Sequence, residues 1–179
     1  MSKNLKTVQT IFKVLGIIWK VVYILCIVGA VASLVGLTLA SVFNYFPEIA
    51  GKIEDESDMT IMQIIGYCLS GVIICIAQII LAKAHRDYFA MEQQVGTPFT
   101  EEGAKSFRTL GIMNIVIPVV TMVIVAVISA IFKSRDVEMY AGLGIGVTMI
   151  LLSFVFAYGA ELENKPEKES KEIAETEEK

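Results

Sequence analysis

The sequence predicts an all-α integral membrane protein, a four-helix antiparallel bundle with both termini cytoplasmic and an amphipathic N-terminal segment. Three observations predict it. Of 179 residues, 55% are hydrophobic and the mean hydropathy is +0.64, above the composition of soluble domains. The apolar residues fall into four blocks free of charge, each near the roughly 20 residues that a helix needs to cross a bilayer. Basic residues are distributed unequally between the segments that join those blocks.

The chain divides into an interfacial segment at 1–20, a membrane domain at 21–163 and a charged tail at 164–179. In the first segment Lys6, Lys13 and Lys20 recur every seven residues, and Ile11, Phe12, Leu15, Ile18 and Trp19 cover much of the remaining surface. Such a helix suits the membrane interface, its lysines reaching anionic headgroups. One long helix from Thr7 to Val42 is the alternative, with Gly16 as the cheapest bend. The four spans are placed at about 21–42, 61–83, 110–132 and 140–160. The first apolar run continues past Ala30-Val31-Ala32 and is longer than the core of a signal peptide, so it reads as a span. The connection 43–59 carries Glu48, Glu54, Asp55, Glu56 and Asp58 without the spacing of a calcium loop, and reads as a solvated acidic loop. The 164–179 tail is mostly Glu and Lys. It reads as disordered, or as a fraying helix with Glu-to-Lys pairs four apart. With both termini inside, twelve of the fifteen Lys and Arg residues are cytoplasmic, which sets the orientation in the cell inner membrane.

Small and polar residues within the spans mark the faces on which helices meet. Ala32, Gly36 and Ala40 recur every four residues in the first span. Gly71, Cys75, Gln78 and Ala82 share a face of the second. Gly111, Asn114, Pro118, Thr121 and Ser129 share a face of the third, and Gly142 and Gly146 form a G-x-x-x-G pair in the fourth, packing either within one chain or between copies. Gln78 lies five residues from Lys83, and Asn114 six from Arg108. Both are expected at one depth, hydrogen-bonded across the second and third helices. A polar substrate site at that depth is the alternative.

Several function classes are excluded on chemical grounds. No nucleophile motif, phosphate loop or zinc spacing is present, so neither an enzyme nor a cofactor or metal site is expected. Cys26, Cys68 and Cys75 lie in apolar blocks and read as packing residues. The single histidine, His85, beside Arg86 just past the second block, reads as interfacial or solvent-facing. A net charge of −4 is a poor balance for direct nucleic-acid binding.

The second connection is the most informative. Residues 83–94 keep helical character, and Gly96-Thr97-Pro98-Phe99 breaks it. Thr100 is the expected N-cap of the next helix, with Glu101 and Glu102 in its first turn and Phe99 packing back on Ala104. The result is a cytoplasmic helical hairpin. The run Gly96-Thr97-Pro98-Phe99-Thr100-Glu101-Glu102, with Phe107-Arg108-Thr109-Leu110-Gly111 after it and Phe156-Ala157-Tyr158-Gly159-Ala160-Glu161-Leu162 at the end of the fourth span, resembles a bacterial four-span membrane family, domain of unknown function 2975. The resemblance covers roughly 21–163. It implies no catalytic residue, leaves Gly96, Pro98, Phe99, Thr100, Arg108, Tyr158 and Gly159 as motif residues of unknown role, and implies a helix-turn-helix regulator as partner. The expectation is a non-enzymatic regulatory or accessory protein that contacts membrane lipid and a cytoplasmic protein. A small-molecule exporter subunit, or an immunity protein against a membrane-active peptide, is the alternative. A homo-oligomer is compatible with either.

Overall fold

The computed structural model describes the backbone of residues 3–95, 99–134 and 142–177, and the side chains of 6–95, 99–134 and 144–162. Five helices follow one another: α1 (Lys3–Phe43), α2 (Pro47–Ser57), α3 (Ile61–Val95), α4 (Glu101–Phe132) and α5 (Gly142–Glu177). Four of them, all but α2, are long and apolar enough to cross a membrane. At 1.5 Å per residue, the 35 residues of α3 extend over about 52 Å, well beyond a hydrocarbon core of roughly 30 Å. The excess is the segment that begins at Lys83.

Helix α1 runs without interruption from Lys3 to Phe43, so no separate interfacial helix precedes the first span. Gly16 is helical, and a methyl group there would meet only Phe89 Cβ at 3.9 Å. At the other end of the chain the helical backbone of α5 continues through the Glu/Lys-rich tail to Glu177, in keeping with the helical one of the two alternatives for that segment.

The acidic connection also holds structure that charge alone does not announce. Pro47 at the first turn presets the helical φ of α2, and Asp58 ends that helix in the left-handed region at φ 55°. Thr60 and Gln63 then form a reciprocal capping box for α3. The Gln63 amide N–H donates to Thr60 Oγ1 at 3.3 Å, and the Thr60 N–H donates to Gln63 Oε1 at 2.9 Å. Glu54 of α2 accepts from the Ile61 N–H at 2.8 Å, placing a carboxylate at the positive end of α3.

The long helices pack antiparallel in chain order: α1 on α3, α3 on α4, and α4 on α5. Among the described residues the backbones of α1 and α5 do not come together, so these two helices flank a central α3–α4 pair. Small residues set each seam. Along α1–α3, a Cβ on Gly29 would lie 3.1 Å from Cys75 Sγ, on Gly36 3.0 Å from Cys68 Sγ, and on Gly71 2.8 Å from Ser33 Oγ. Gly36 and Ala40 face α3 as expected, whereas Ala32 is exposed. Along α4–α5, Gly111 and Gly146 oppose one another, and a Cβ on Gly146 would stand 2.8 Å from the Gly111 carbonyl oxygen. Gly142 begins α5, but its surroundings lie outside the described residues. Outward-facing apolar side chains such as Leu25, Val28, Val123 and Leu151 coat the helices. In water this would be untenable; in a bilayer those surfaces face acyl chains.

The two ends of the bundle differ in charge. One carries Lys13, Lys20, Lys83, Arg86, Lys105 and Arg108, and the other carries α2 with Glu48, Glu54, Asp55 and Glu56. The first is the basic end and the second the acidic end.

Candidate functional site

The polar centre of the bundle lies near the basic end, and its hub is His85. One helical turn beyond Leu81, the imidazole turns inward and is only 3% exposed, whereas an interfacial or solvent-facing residue is expected from the sequence. The reason is that α3 continues as helix past Lys83, so position 85 stays on the face that meets α1 and α4. His85 stacks on Trp19 of α1, with ring centroids 3.9 Å apart and planes inclined by 17°. Its Nδ1 lies 2.8 Å from the Leu81 carbonyl oxygen, and its Nε2 lies 3.2 Å from Asn114 Nδ2.

These contacts fix the chemistry of the ring. A carbonyl oxygen can only accept, so Nδ1 carries the proton; an amide nitrogen can only donate, so Nε2 accepts. The imidazole is therefore neutral. Asn114 is oriented in turn by its own backbone, since Nδ2 also donates to the Leu110 carbonyl oxygen at 2.8 Å and lies 3.7 Å from Met149 Sδ of α5. Side chains of α1, α3, α4 and α5 thus meet at one level. Hydrogen bonds of this kind in membranes contribute about 0.6–2 kcal/mol each. Leaving one member unpaired costs about 1–3 kcal/mol, which makes the cluster a register lock. Pro118, one turn on, lacks the N–H that would otherwise bond the Asn114 carbonyl.

The expected Gln78–Asn114 pair does not form. With His85 opposite Asn114, Gln78 lies two turns, about 10 Å, further along α3. The expectation placed Lys83 and Arg108 at equal depth, but Phe107 packs against Tyr88 with centroids 5.2 Å apart. Arg108 therefore sits near the level of Asp87 and Tyr88, about one turn past Lys83. None of the three described cavities is lined by Gln78 or Asn114.

Toward the basic end, Tyr88, Phe89, Leu110 and Met149 form a buried apolar cluster, joined by Phe12, Leu15 and Phe107. Beyond it lies Glu92, with 0% exposure and both carboxylate oxygens lacking a hydrogen bond of normal geometry. The Tyr88 hydroxyl, one turn back, is in electrostatic contact with it. Glu92 lies beyond the charge-free part of α3, outside the span, and burial pushes its carboxyl above the usual carboxylate range. Nothing in the sequence pattern singles it out, because the surrounding Met91, Gln93 and Gln94 read as a solvated helix.

The two halves of the sequence motif meet in space. Thr100 caps α4, its Oγ1 accepting from the Gly103 N–H at 2.9 Å. Phe99 reaches across to α5, where its ring lies edge-on to Phe156 at 5.7 Å and covers Gly159; a side chain at Gly159 would collide with that ring. Arg108 donates from Nε to Ser153 Oγ at 3.4 Å and lies over the Phe154 ring at 4.4 Å. Tyr158 points outward. Gly96 and Pro98 lie outside the described residues.

Beside the hairpin, α3 and α4 leave an open groove of about 510 Å³. Tyr88, Met91 and Leu110 supply its apolar floor, and Asp87, Glu102 and Lys105 its charged rim. The fold and this polar centre define a helical protein of multi-pass membrane type. No protein-family model matches the chain, and no curated protein or solved structure does either.

Proposed function

We propose that this is a non-enzymatic protein of the bacterial inner membrane, with both termini and the α3–α4 hairpin in the cytoplasm, that binds a cytoplasmic protein partner. The observation that carries the reading is the groove of about 510 Å³ between α3 and α4, open, apolar at its floor and charged at its rim. Such a groove accepts the apolar face of an amphipathic helix, with rim charges setting orientation. The bias of twelve basic residues against three supports the orientation. The motif residues Phe99, Thr100 and Gly159 serve the hairpin's geometry rather than chemistry: Thr100 caps α4, and Phe99 packs over Gly159 and against Phe156 of α5. A small DNA-binding regulator held at the membrane is the partner that the resemblance to the four-span family suggests.

The packed cluster around Asn114 supports this reading over an exporter, which would need a solvated passage at that depth. The test is photo-crosslinking in cells from position 91 or 105 on the groove and from position 131 at the acidic end, followed by mass spectrometry. One cytoplasmic protein captured from the groove positions and not from 131 is expected. Capture of this chain alone would refute the reading.

A further inference from the structure

A second groove at the basic end lies on the opposite side of α3, between α1 and α3, with a volume of about 270 Å³. Phe12, Gly16 and Phe89 form its floor, and Lys13, Lys20 and Arg86 converge on it. No acidic residue lines it. Asp87, outside the groove lining, meets Arg86 Nη2 at 2.8 Å and Nε at 3.1 Å and so offsets one charge of the three. Arg86 is held further by the Tyr23 ring of α1, its guanidinium carbon 5.4 Å from the centroid. Lys13 and Lys20 have no ion pair or hydrogen bond among the described residues.

The position of these cations says what they meet. Lys20 is the last charge before the charge-free run of α1, and Arg86 follows closely on Lys83, the first charge after that of α3. Both therefore lie where hydrocarbon gives way to headgroups. Lys13 is two turns, about 10 Å, beyond Lys20 on α1. Val14, Ile17 and Val21, each about half exposed, continue the groove onto the acyl-facing surface of α1. A molecule that fits must carry negative charge at the groove and apolar chains beside it. A space of 270 Å³, against roughly 30 Å³ for one water, takes a phosphodiester and its glycerol carbons.

We propose that the α1–α3 groove at the basic end binds the headgroup phosphate of one anionic phospholipid, with Lys13, Lys20 and Arg86 as its cationic ligands. Basic pockets between membrane helices hold anionic headgroups by this combination of charge and apolar flank. The site is separate from the α3–α4 groove and stands whether or not a protein binds there.

The experiment is native mass spectrometry of the full chain, titrated with phosphatidylglycerol, with phosphatidylcholine of the same acyl chains, and with inorganic phosphate. The expected result is one retained phosphatidylglycerol, held in preference to phosphatidylcholine and not displaced by equimolar phosphate. Lys13→Gln with Lys20→Gln weakens that binding about fivefold per cation removed. Lys13→Arg with Lys20→Arg preserves it, as does Lys52→Gln at the acidic end. Both lysines are exposed, so the variants keep the helical circular dichroism of the parent. Equal retention of phosphatidylcholine, an unchanged preference in the double Gln variant, or an equal loss in Lys52→Gln would overturn the proposal. Displacement by equimolar inorganic phosphate would overturn the lipid assignment in favour of a free-phosphate site.

Discussion

Gly144 and Gly146 sit two residues apart on α5, yet they should respond to the same methyl group with opposite sign. At Gly144 an added Cβ meets nothing within 4 Å. Gly144→Ala then keeps only the gain in helix propensity, about 0.5–1 kcal/mol of added stability. At Gly146 the same atom would lie 2.6 Å from Ile115 Cγ1 and 2.8 Å from the Gly111 carbonyl oxygen. The isoleucine can rotate away, but the carbonyl belongs to the backbone of α4. Ordinary contact begins at 3.4 Å, so α4 and α5 must part by about 0.6 Å. A radial gap of that size forfeits about a quarter or more of the dispersion attraction across the seam. Overpacking of this kind costs about 1–3 kcal/mol, from which the propensity gain is subtracted. Gly146→Ala is therefore expected to lose about 0.5–2 kcal/mol where Gly144→Ala gains. Equilibrium unfolding in mixed micelles, titrated with sodium dodecyl sulfate and followed by far-ultraviolet circular dichroism, measures both. Equal shifts for the two variants would mean that α4 and α5 do not close at Gly111 and Gly146.

Other consequences can be measured in the same assay. A double-mutant cycle of His85→Phe and Asn114→Leu should return a coupling of about 0.6–2 kcal/mol, with either single change costing more than the pair combined would suggest; a coupling near zero would remove the register lock. Glu92→Gln should stabilise the protein at neutral pH. Because the folded carboxyl is raised, wild-type stability is complete below the ordinary carboxylate pKa of about 4.3 and is lost as pH climbs above it through the folded value. The advantage of the variant over wild type should therefore grow from pH 4 to pH 7, and parallel pH profiles would contradict a buried neutral Glu92. Thr100→Ala should cost about 1 kcal/mol and speed amide exchange at Gly103, whose N–H it caps; unchanged exchange there would argue against the cap.

The spans were legible because hydropathy is a property of each block taken alone. The faces were partly legible for the same reason: Gly36, Gly71, Gly111 and Gly146 are small residues at helical spacing, and each lies on a seam. Depth between helices was not legible. It depends on where each helix starts relative to its neighbour, and Lys83 and Arg108, which look like matching boundary marks, belong to different levels because the hairpin extends beyond both. That displacement exchanges Gln78 for His85 as the partner of Asn114. Two signals for α2 and the start of α3 are present in the sequence: Pro47 before a helical run and the Thr60-Gln63 spacing of a capping box. The acidity of the connection masks them. Gly66 and Gly159 show the limit from the other side, since each is crowded by a neighbour, Phe132 or Phe99, that only the folded chain reveals.

The chain contains a single tryptophan, and it is the residue stacked on His85. Its emission therefore comes from one place, the joint between the first long helix and the rest of the molecule. Movement of that helix away from its neighbour would exchange an imidazole face for acyl chains around the indole, changing both colour and lifetime. The native protein carries its own optical gauge of this joint, readable without any label and before any ligand is known.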